Sequence, residues 1–489
     1  MEIDILFLAK VNFAFEIRLL PQLEQFILTG GAQLKKQDIL ASLSAQAKDY
    51  YQLSDKIWDN PEVRFTEYHS SKILANFLEK EGFYTEWGLA GMKTAFRCTW
   101  GSGKPTIGFL AEFDALPNLS QKANIAEKQP LENNGNGHGC GHNLLGVGSL
   151  IGAIGTKQYL ESNQLPGTIV FLGCPAEEGG GGKTFMAREG CFDLLDCALT
   201  WHPGCANGVP PGIFLANCMF RCTFTGRASH AAAFPECGRS ALDALELMNV
   251  GIQFLREHIP STARLHYAIT DAGGTAPNIV QAKASGLYQI RAPYTPMVIE
   301  IYEKLKNIAK GAALMTETEV NIEFLKATSN TMPNTVLDRI MHQNMKEVPL
   351  PKNGGPQQDF AEQIMRSQLP EAKRPLLPLD ETIQAYMPSD NPIPASTDVG
   401  DVSWVCPVSQ IGTATWPVGT APHSWQAVAC GKSDFAHRSM LYAGQVIAAS
   451  AIDILTQPDI LTSAWAEFNC RTNNQPYQCP IPKEISPGL

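Results

Sequence analysis

Seven residues, Gly137-His138-Gly139-Cys140-Gly141-His142-Asn143, set two imidazoles and one thiol into a single glycine-spaced turn. Imidazole nitrogen and thiolate sulfur are the usual ligands of zinc and similar transition metals. Glycine permits positive φ and close backbone approach, so the short side chains can converge on one point. By itself the turn could equally hold an inert cysteine. The other ligand-type residues shift that balance, because each comes at or beyond the end of an apolar run. Glu112 and Asp114 follow residues 105–111, Glu177 and Glu178 follow 168–173, His202 follows 197–201, and His423 lies in the loop beyond 408–413. Adjacent carboxylates repel, so Glu177-Glu178 suggests a cation that keeps one of them ionised. The plain alternatives stay open: a solvated acidic loop at 177–178, core histidines at His202 and His423, and a turn cap at His230. A metal site is the reading these residues favour together.

Two other chemistries find no support. Gly182-Lys183-Thr184 imitates the end of a phosphate loop, but Glu177 occupies the position where that loop needs its first glycine. Gly-x-Ser-x-Gly, the nucleophile elbow of serine hydrolases, is absent.

The elements that must position these residues alternate. Helical spacing runs from Lys36 to Trp58 and from Tyr68 to Glu81, and a small-residue helix is expected from Leu144 to Leu160. The apolar runs named above read as strands, so the pattern is an α/β sheet that is at least partly parallel. Ligands bind beyond the carboxyl ends of strands in such sheets, which is where the candidate residues fall. Between about 217 and 330 the pattern changes to strand 218–225, helix 239–257, strands 263–270 and 284–292, helix 294–313 and strand 317–324. That order, βαββαβ, is the split-βαβ sandwich of a small inserted domain. Residues 348–394 read as long loops holding one helix, 359–367.

At 489 residues, two domains are the prior. The expected division is an N-terminal extension over 1–31, a catalytic domain over 32–216 resumed at 331–489, and the inserted domain over 217–330. A net charge of −10 argues against nucleic acid or an anionic membrane as partner. Thirteen cysteines, never spaced as Cys-x-x-Cys, suit reduced thiols in a cytoplasm. No apolar run is expected to reach membrane-spanning length, and the chain opens with acidic rather than basic residues.

Longer strings carry a resemblance. GHGCGHNLLG (137–146), GCPAEEGGGGKTFMAREG (173–190), ALTWHP (198–203), GRSALDALELM (238–248), GGTAPNIVQA (273–282), KGAALMTETEV (310–320), ASTDVGDVSW (395–404) and GTAPHSWQ (419–426) follow one another in order. The chain resembles the aminoacylase and auxin-conjugate amidohydrolase branch of the dinuclear metallopeptidases, from about residue 36 to 482. The resemblance implies a phosphorylase/hydrolase-like mixed-sheet catalytic domain with a ferredoxin-like lid or dimerisation domain inserted. It implies two divalent metal ions, manganese or zinc, on Cys140, His142, Glu178, His202 and His423. Glu177 matches the catalytic carboxylate and Asp114 the acid that orients a ligand from behind. His138 carries no ligand role. His230, Asn278 and Arg291 match lid positions associated with substrate.

The implied reaction is hydrolysis of an amide joining an acyl group to an amino acid, with p-aminobenzoyl-glutamate the first candidate. A dipeptidase or aminoacylase of other specificity, or a non-catalytic partner of a related A subunit, are the alternatives. The implied assembly is a homodimer or a heterodimer with such a related subunit. Two departures stand out: Glu112 where many relatives have Asp, and the extension before Lys36, which has no counterpart.

Overall fold

The computed structural model describes residues 34–352 and 354–488, so the expected extension over 1–31 lies outside the described residues. Three helices come first: α1 (Lys36–Ala45), α2 (Ala47–Trp58) and α3 (Tyr68–Lys80). The helical period expected from Lys36 to Trp58 is present but divided, because Gln46, with φ −95° and ψ 4°, interrupts the helical ladder. Strands β1 (Tyr84–Trp87), β2 (Phe96–Ser102) and β3 (Thr106–Ala111) follow, then α4 (His142–Asn163), β4 (Gly167–Gly173), α5 (Gly182–Arg188), β5 (Cys197–Gly204) and the short β6 (Ile213–Phe214). Next come β7 (Ala216–Thr225), α6 (Ala241–Leu255), β8 (Arg264–Asp271), β9 (Lys283–Ala292), α7 (Thr295–Met315) and β10 (Glu319–Thr328). The chain finishes with α8 (Thr335–Glu347), α9 (Pro356–Gln368), β11 (Pro392–Ile393), α10 (Val399–Ser403), β12 (Val408–Ala414), α11 (Trp425–Cys430), α12 (Asp434–Thr456) and α13 (Pro458–Thr472).

The large sheet has the order β1-β2-β4-β3-β5-β12. Its β4-β3-β5-β12 half is parallel, and β1 and β2 close one side antiparallel. Parallel strands covered on both faces read as unbroken apolar runs, and β3 is buried at every residue. Helices α4 and α12 lie together over this sheet. Small residues let them approach closely: a Cβ at Gly152 would stand 2.5 Å from Ile447, and one at Gly444 2.5 Å from Ile151. Helix α12 corrects the expectation that no apolar run is long enough to span a membrane. Its 23 residues meet that length and hydropathy, and 83% of the apolar window is buried within this fold. It is built as a core helix, apolar nearly all round because protein surrounds it.

The second sheet, β10-β7-β9-β8, is antiparallel throughout. One face buries Phe220, Cys222, Phe224, Tyr288 and Ile290 beneath α6 and α7. The other presents Met219, Arg221, Leu287, Gln289 and Arg291, all half-buried. Asn217 pairs with Thr328 across β7 and β10, so the chain enters and leaves this sheet at adjacent points. The element order is the βαββαβ read from the sequence.

Candidate metal centre

The glycine turn is pinned before it reaches the ligands. Leu116 and Gly137 exchange backbone hydrogen bonds at 3.0 and 2.9 Å, which ties the turn to the segment just beyond β3. Gly141, at φ 74°, then reverses the chain between Cys140 and His142, a conformation that a side chain would strain. His142 is thereby the first residue of α4, two positions earlier than the apolar spacing indicates. The loop after β12 docks on the same turn, with His423 N–H donating to Gly139 O at 2.8 Å. A Cβ at Gly139 would stand 3.3 Å from the His423 Cα and 2.6 Å from the Leu119 side chain, so glycine eases the close packing here. His202 lies inside β5 rather than after it, because pairing with Gly412 of β12 extends the strand to Gly204.

Three groups of ligand atoms result, each with its atoms within 4.8 Å of one another. They are Cys140, His142 and His202; Cys140, Glu178 and His423; and Glu112, His142 and Glu177. Cys140 belongs to two groups, and His142 links the first to the third. Asp114 stands behind them, with Oδ1 2.9 Å from His142 Nδ1 and Oδ2 accepting the Glu178 N–H at 2.8 Å. A carboxylate on Nδ1 fixes the ring's tautomer and leaves Nε2 as the free donor atom. His202 is oriented in the same way, with Nδ1 on the Pro203 carbonyl at 2.8 Å and Nε2 3.6 Å from Cys140 Sγ.

The decisive geometry is what these atoms fail to do. His142 Nε2 stands 3.2 Å from Glu112 Oε2, and His423 Nε2 stands 3.0 Å from Glu178 Oε1. Nonetheless His142 Nε2, Glu112 Oε2 and Glu178 Oε1 are buried with no hydrogen-bond partner. Buried polar atoms are nearly always satisfied, and leaving them unpaired is costly. Atoms this close that miss hydrogen-bond geometry are aimed at shared third points. A mixed set of imidazole, thiol and carboxylate donors suits a transition-metal dication at those points.

Electrostatics agree with the geometry. Burial pushes the Cys140 thiol up, with Glu178 adding to it, so a bound cation is what would make this sulfur a thiolate ligand. Burial also raises Glu177 well above the carboxylate range, and Glu112, Glu178 and Asp398 add to that. Glu178 goes the other way: burial would raise it, but His423 and His142 outweigh that and hold it near about 2. Two neighbouring carboxyls are thus driven apart in acidity, the usual mark of separate roles.

The remaining expected residues are placed as follows. His138 is buried against the Ile57 carbonyl at 3.2 Å, and burial lowers it to about 3, which leaves it a neutral core histidine. Arg291 is half-buried on the open face of the second sheet, donates to Ser396 Oγ at 2.8 Å and feels the charge of Glu177. His230 and Asn278 are exposed, on two segments that pair with each other, and neither belongs to the three ligand groups. Ala231 N–H donates to Asn278 O, and His230 Nδ1 accepts from Ala232 N–H and Ala233 N–H.

Two residues to which the sequence assigns no role also matter. Glu67 accepts the N–H of Ala176, whose φ of 61° turns the chain into Glu177. Lys183, set aside as a false phosphate loop, is fully buried between Glu112 and Asp398. Its ammonium is committed to carboxylates and unavailable to a phosphate.

A parallel sheet that gathers histidine, cysteine and glutamate at its strand ends, with a small antiparallel sheet beside it in the chain, is the architecture of a metal-dependent hydrolase family. The chain belongs to peptidase family M20/M25/M40, whose profile matches residues 108–414; it is a hydrolase of amide bonds. It is 42% identical to one of the subunits of p-aminobenzoyl-glutamate hydrolase of Escherichia coli strain K12, over 91% of this chain and 97% of that one. It is 29% identical to the Xaa-Arg dipeptidase of Mus musculus, over 91% of this chain and 94% of that one. Among solved structures it shares the fold of a dinuclear metal-binding peptidase of the M20 family from Bacillus subtilis. The TM-score is 0.55 at 15% identity, covering 84% of this chain and 99% of that one.

Proposed function

We propose that this chain hydrolyses the amide bond of p-aminobenzoyl-glutamate or a closely similar N-acyl amino acid, using two divalent metal ions. Cys140, His142, Glu178, His202 and His423 hold the metals, and Asp114 orients His142. The observation that carries the reading is the convergence of three buried, unpartnered atoms, His142 Nε2, Glu112 Oε2 and Glu178 Oε1, with the exposed His423 Nε2 3.0 Å from the last of them. Thiolate favours zinc on softness, while the resemblance associates the family with manganese as well. When bound, the metals supply Lewis acidity toward the scissile carbonyl and a water that is nucleophilic at neutral pH.

The chain's own residues do the rest. Glu177, half-buried and raised in pKa, takes the proton of the attacking water and returns it to the leaving nitrogen. Arg291, close enough to Glu177 for their charges to interact, offers a guanidinium to the substrate's carboxylate. Asn278 and His230 lie on paired, exposed segments of the inserted domain, where a site in a second chain could use them. Thirteen free thiols fit a cytoplasmic location.

The likeness to one subunit of a bacterial hydrolase supports association with a related companion subunit, and a second copy of this chain is the alternative. The surface suited to either is the β8 edge of the second sheet. There β8 exposes Tyr267 and Ile269, while the neighbouring α6 exposes Leu247, Val250 and Phe254. If two copies pair there, mixing inactive His230→Ala with inactive Glu177→Gln protomers restores activity, because one hybrid site regains both residues. Well-mixed, folded hybrids that stay inactive exclude sharing between chains. A normal kcat in His230→Ala alone leaves His230 as the turn cap its Nδ1 contacts describe.

The dipeptidase reading has its own support in the likeness to the mouse enzyme. The purified chain, assayed against p-aminobenzoyl-glutamate, other N-acyl glutamates and dipeptides ending in arginine, separates the two. The highest kcat/KM is expected on p-aminobenzoyl-glutamate. Preference for a dipeptide would replace the substrate assignment, and no hydrolysis of any amide would leave the chain a non-catalytic partner.

A further inference from the structure

Behind His142 lies a charged group that the hydrolysis described above leaves unused. Lys183 Nζ stands 2.5 Å from Glu112 Oε1 and 2.6 Å from Asp398 Oδ1. Asp398 also grips the other end of the same residue, its Oδ2 accepting the Lys183 backbone N–H at 2.8 Å. None of the three side chains is more than 1% exposed. Removing an ammonium and two carboxylates from water is expensive, and stability alone is a weak reason to retain such a group.

The arrangement has a consequence for Glu112. One oxygen is committed to Lys183, while the other, Oε2, is buried without a hydrogen-bond partner 3.2 Å from His142 Nε2. A counter-ion kept only to neutralise Lys183 has no need to aim its second oxygen at an unpartnered imidazole nitrogen. An unanchored carboxylate could swing away or engage through both oxygens; the ammonium removes that freedom.

We infer that Lys183, clamped by Asp398, is a positioning residue that presents Glu112 Oε2 as a one-oxygen ligand to the metal beside His142. The inference rests on the two-metal reading. It explains why the segment that supplies Glu177 and Glu178 continues directly into α5. That short helix carries the clamp and is itself tied down, with Arg188 donating to the carbonyls of Pro482 and Ile485.

The test reads metal binding, by metal content per chain after dialysis and by competition of Mn²⁺ and Zn²⁺ against a chromophoric chelator. Glu112→Gln is isosteric. Its oxygen can still accept from Lys183, and the buried group loses one of its two carboxylate charges while Asp398 still balances the ammonium, so the metal-free protein should remain folded. Its affinity for one of the two ions should fall by about ten- to a hundredfold. Lys183→Met/Asp398→Asn removes one positive and one negative charge and leaves Glu112 intact. The same ion should be weakened, and adding Glu112→Gln should cost little more, since all three substitutions act through one contact. Should the double variant not fold, Asp398→Asn alone keeps the Lys183–Glu112 pair and is expected to weaken that ion selectively.

Two ions held with wild-type affinity in Glu112→Gln, or in folded Asp398→Asn and the double variant, overturn the inference while leaving the two-metal reading intact. A wild-type chain that binds no metal overturns both.

Discussion

Glu177→Gln lowers kcat by about two to four orders of magnitude, the usual scale of a general acid–base contribution, and leaves the metal content unchanged. The substitution is isosteric and removes only the ability to carry a proton. Glu177 is suited to that task by its surroundings. Burial raises it, the charges of Glu112, Glu178 and Asp398 raise it further, and its neighbour Glu178 is held ionised by His423 and His142. The competing role is that of a ligand, since Glu177 also falls within reach of Glu112 and His142. Parallel measurement of kcat and bound metal separates the two. Loss of metal along with rate makes Glu177 a ligand, and a near wild-type kcat places the proton carrier elsewhere.

Cys140→Ala is expected to have the broadest effect on the metals. Cys140 is common to the group with His142 and His202 and to the group with Glu178 and His423. Removing its sulfur therefore loosens both ions and abolishes activity, whereas His202→Ala should weaken one ion and spare the other. Because the Cys140 thiol is buried and pushed up in pKa, the alanine variant should fold in the absence of metal. Equal occupancy in the two variants, measured by elemental analysis and chelator competition, would show that Cys140 does not join the two groups.

Much of this site is legible in the sequence because parallel strands buried on both faces appear as continuous apolar runs, and the chemistry follows at their carboxyl ends. Residues 106–111 and 167–173 announce Glu112, Asp114, Glu177 and Glu178 in this way. The glycine turn announces Cys140 and His142 by composition alone. What escapes is set by tertiary pairing. Strand β1 is mostly exposed, β2 alternates buried with half-buried residues before an exposed end, and neither carries an apolar run. The inclusion of His202 in β5 depends on β12, which enters the sheet some two hundred residues later. Lys183 imitates the end of a phosphate loop and, with that reading rejected, is left without a role, because a buried lysine is explained only by its partners. One of those partners, Asp398, is 215 residues away. The substrate role that the resemblance implies for His230 and Asn278 finds no counterpart in the cluster, because their two segments pair with each other within the inserted domain.

The most direct test of the account combines metal content with turnover of p-aminobenzoyl-glutamate by the purified chain. Two divalent ions per chain are expected, with p-aminobenzoate and glutamate released in equal amounts. Activity should disappear on chelation and return when manganese or zinc is restored. Undiminished hydrolysis after complete removal of metal would contradict it.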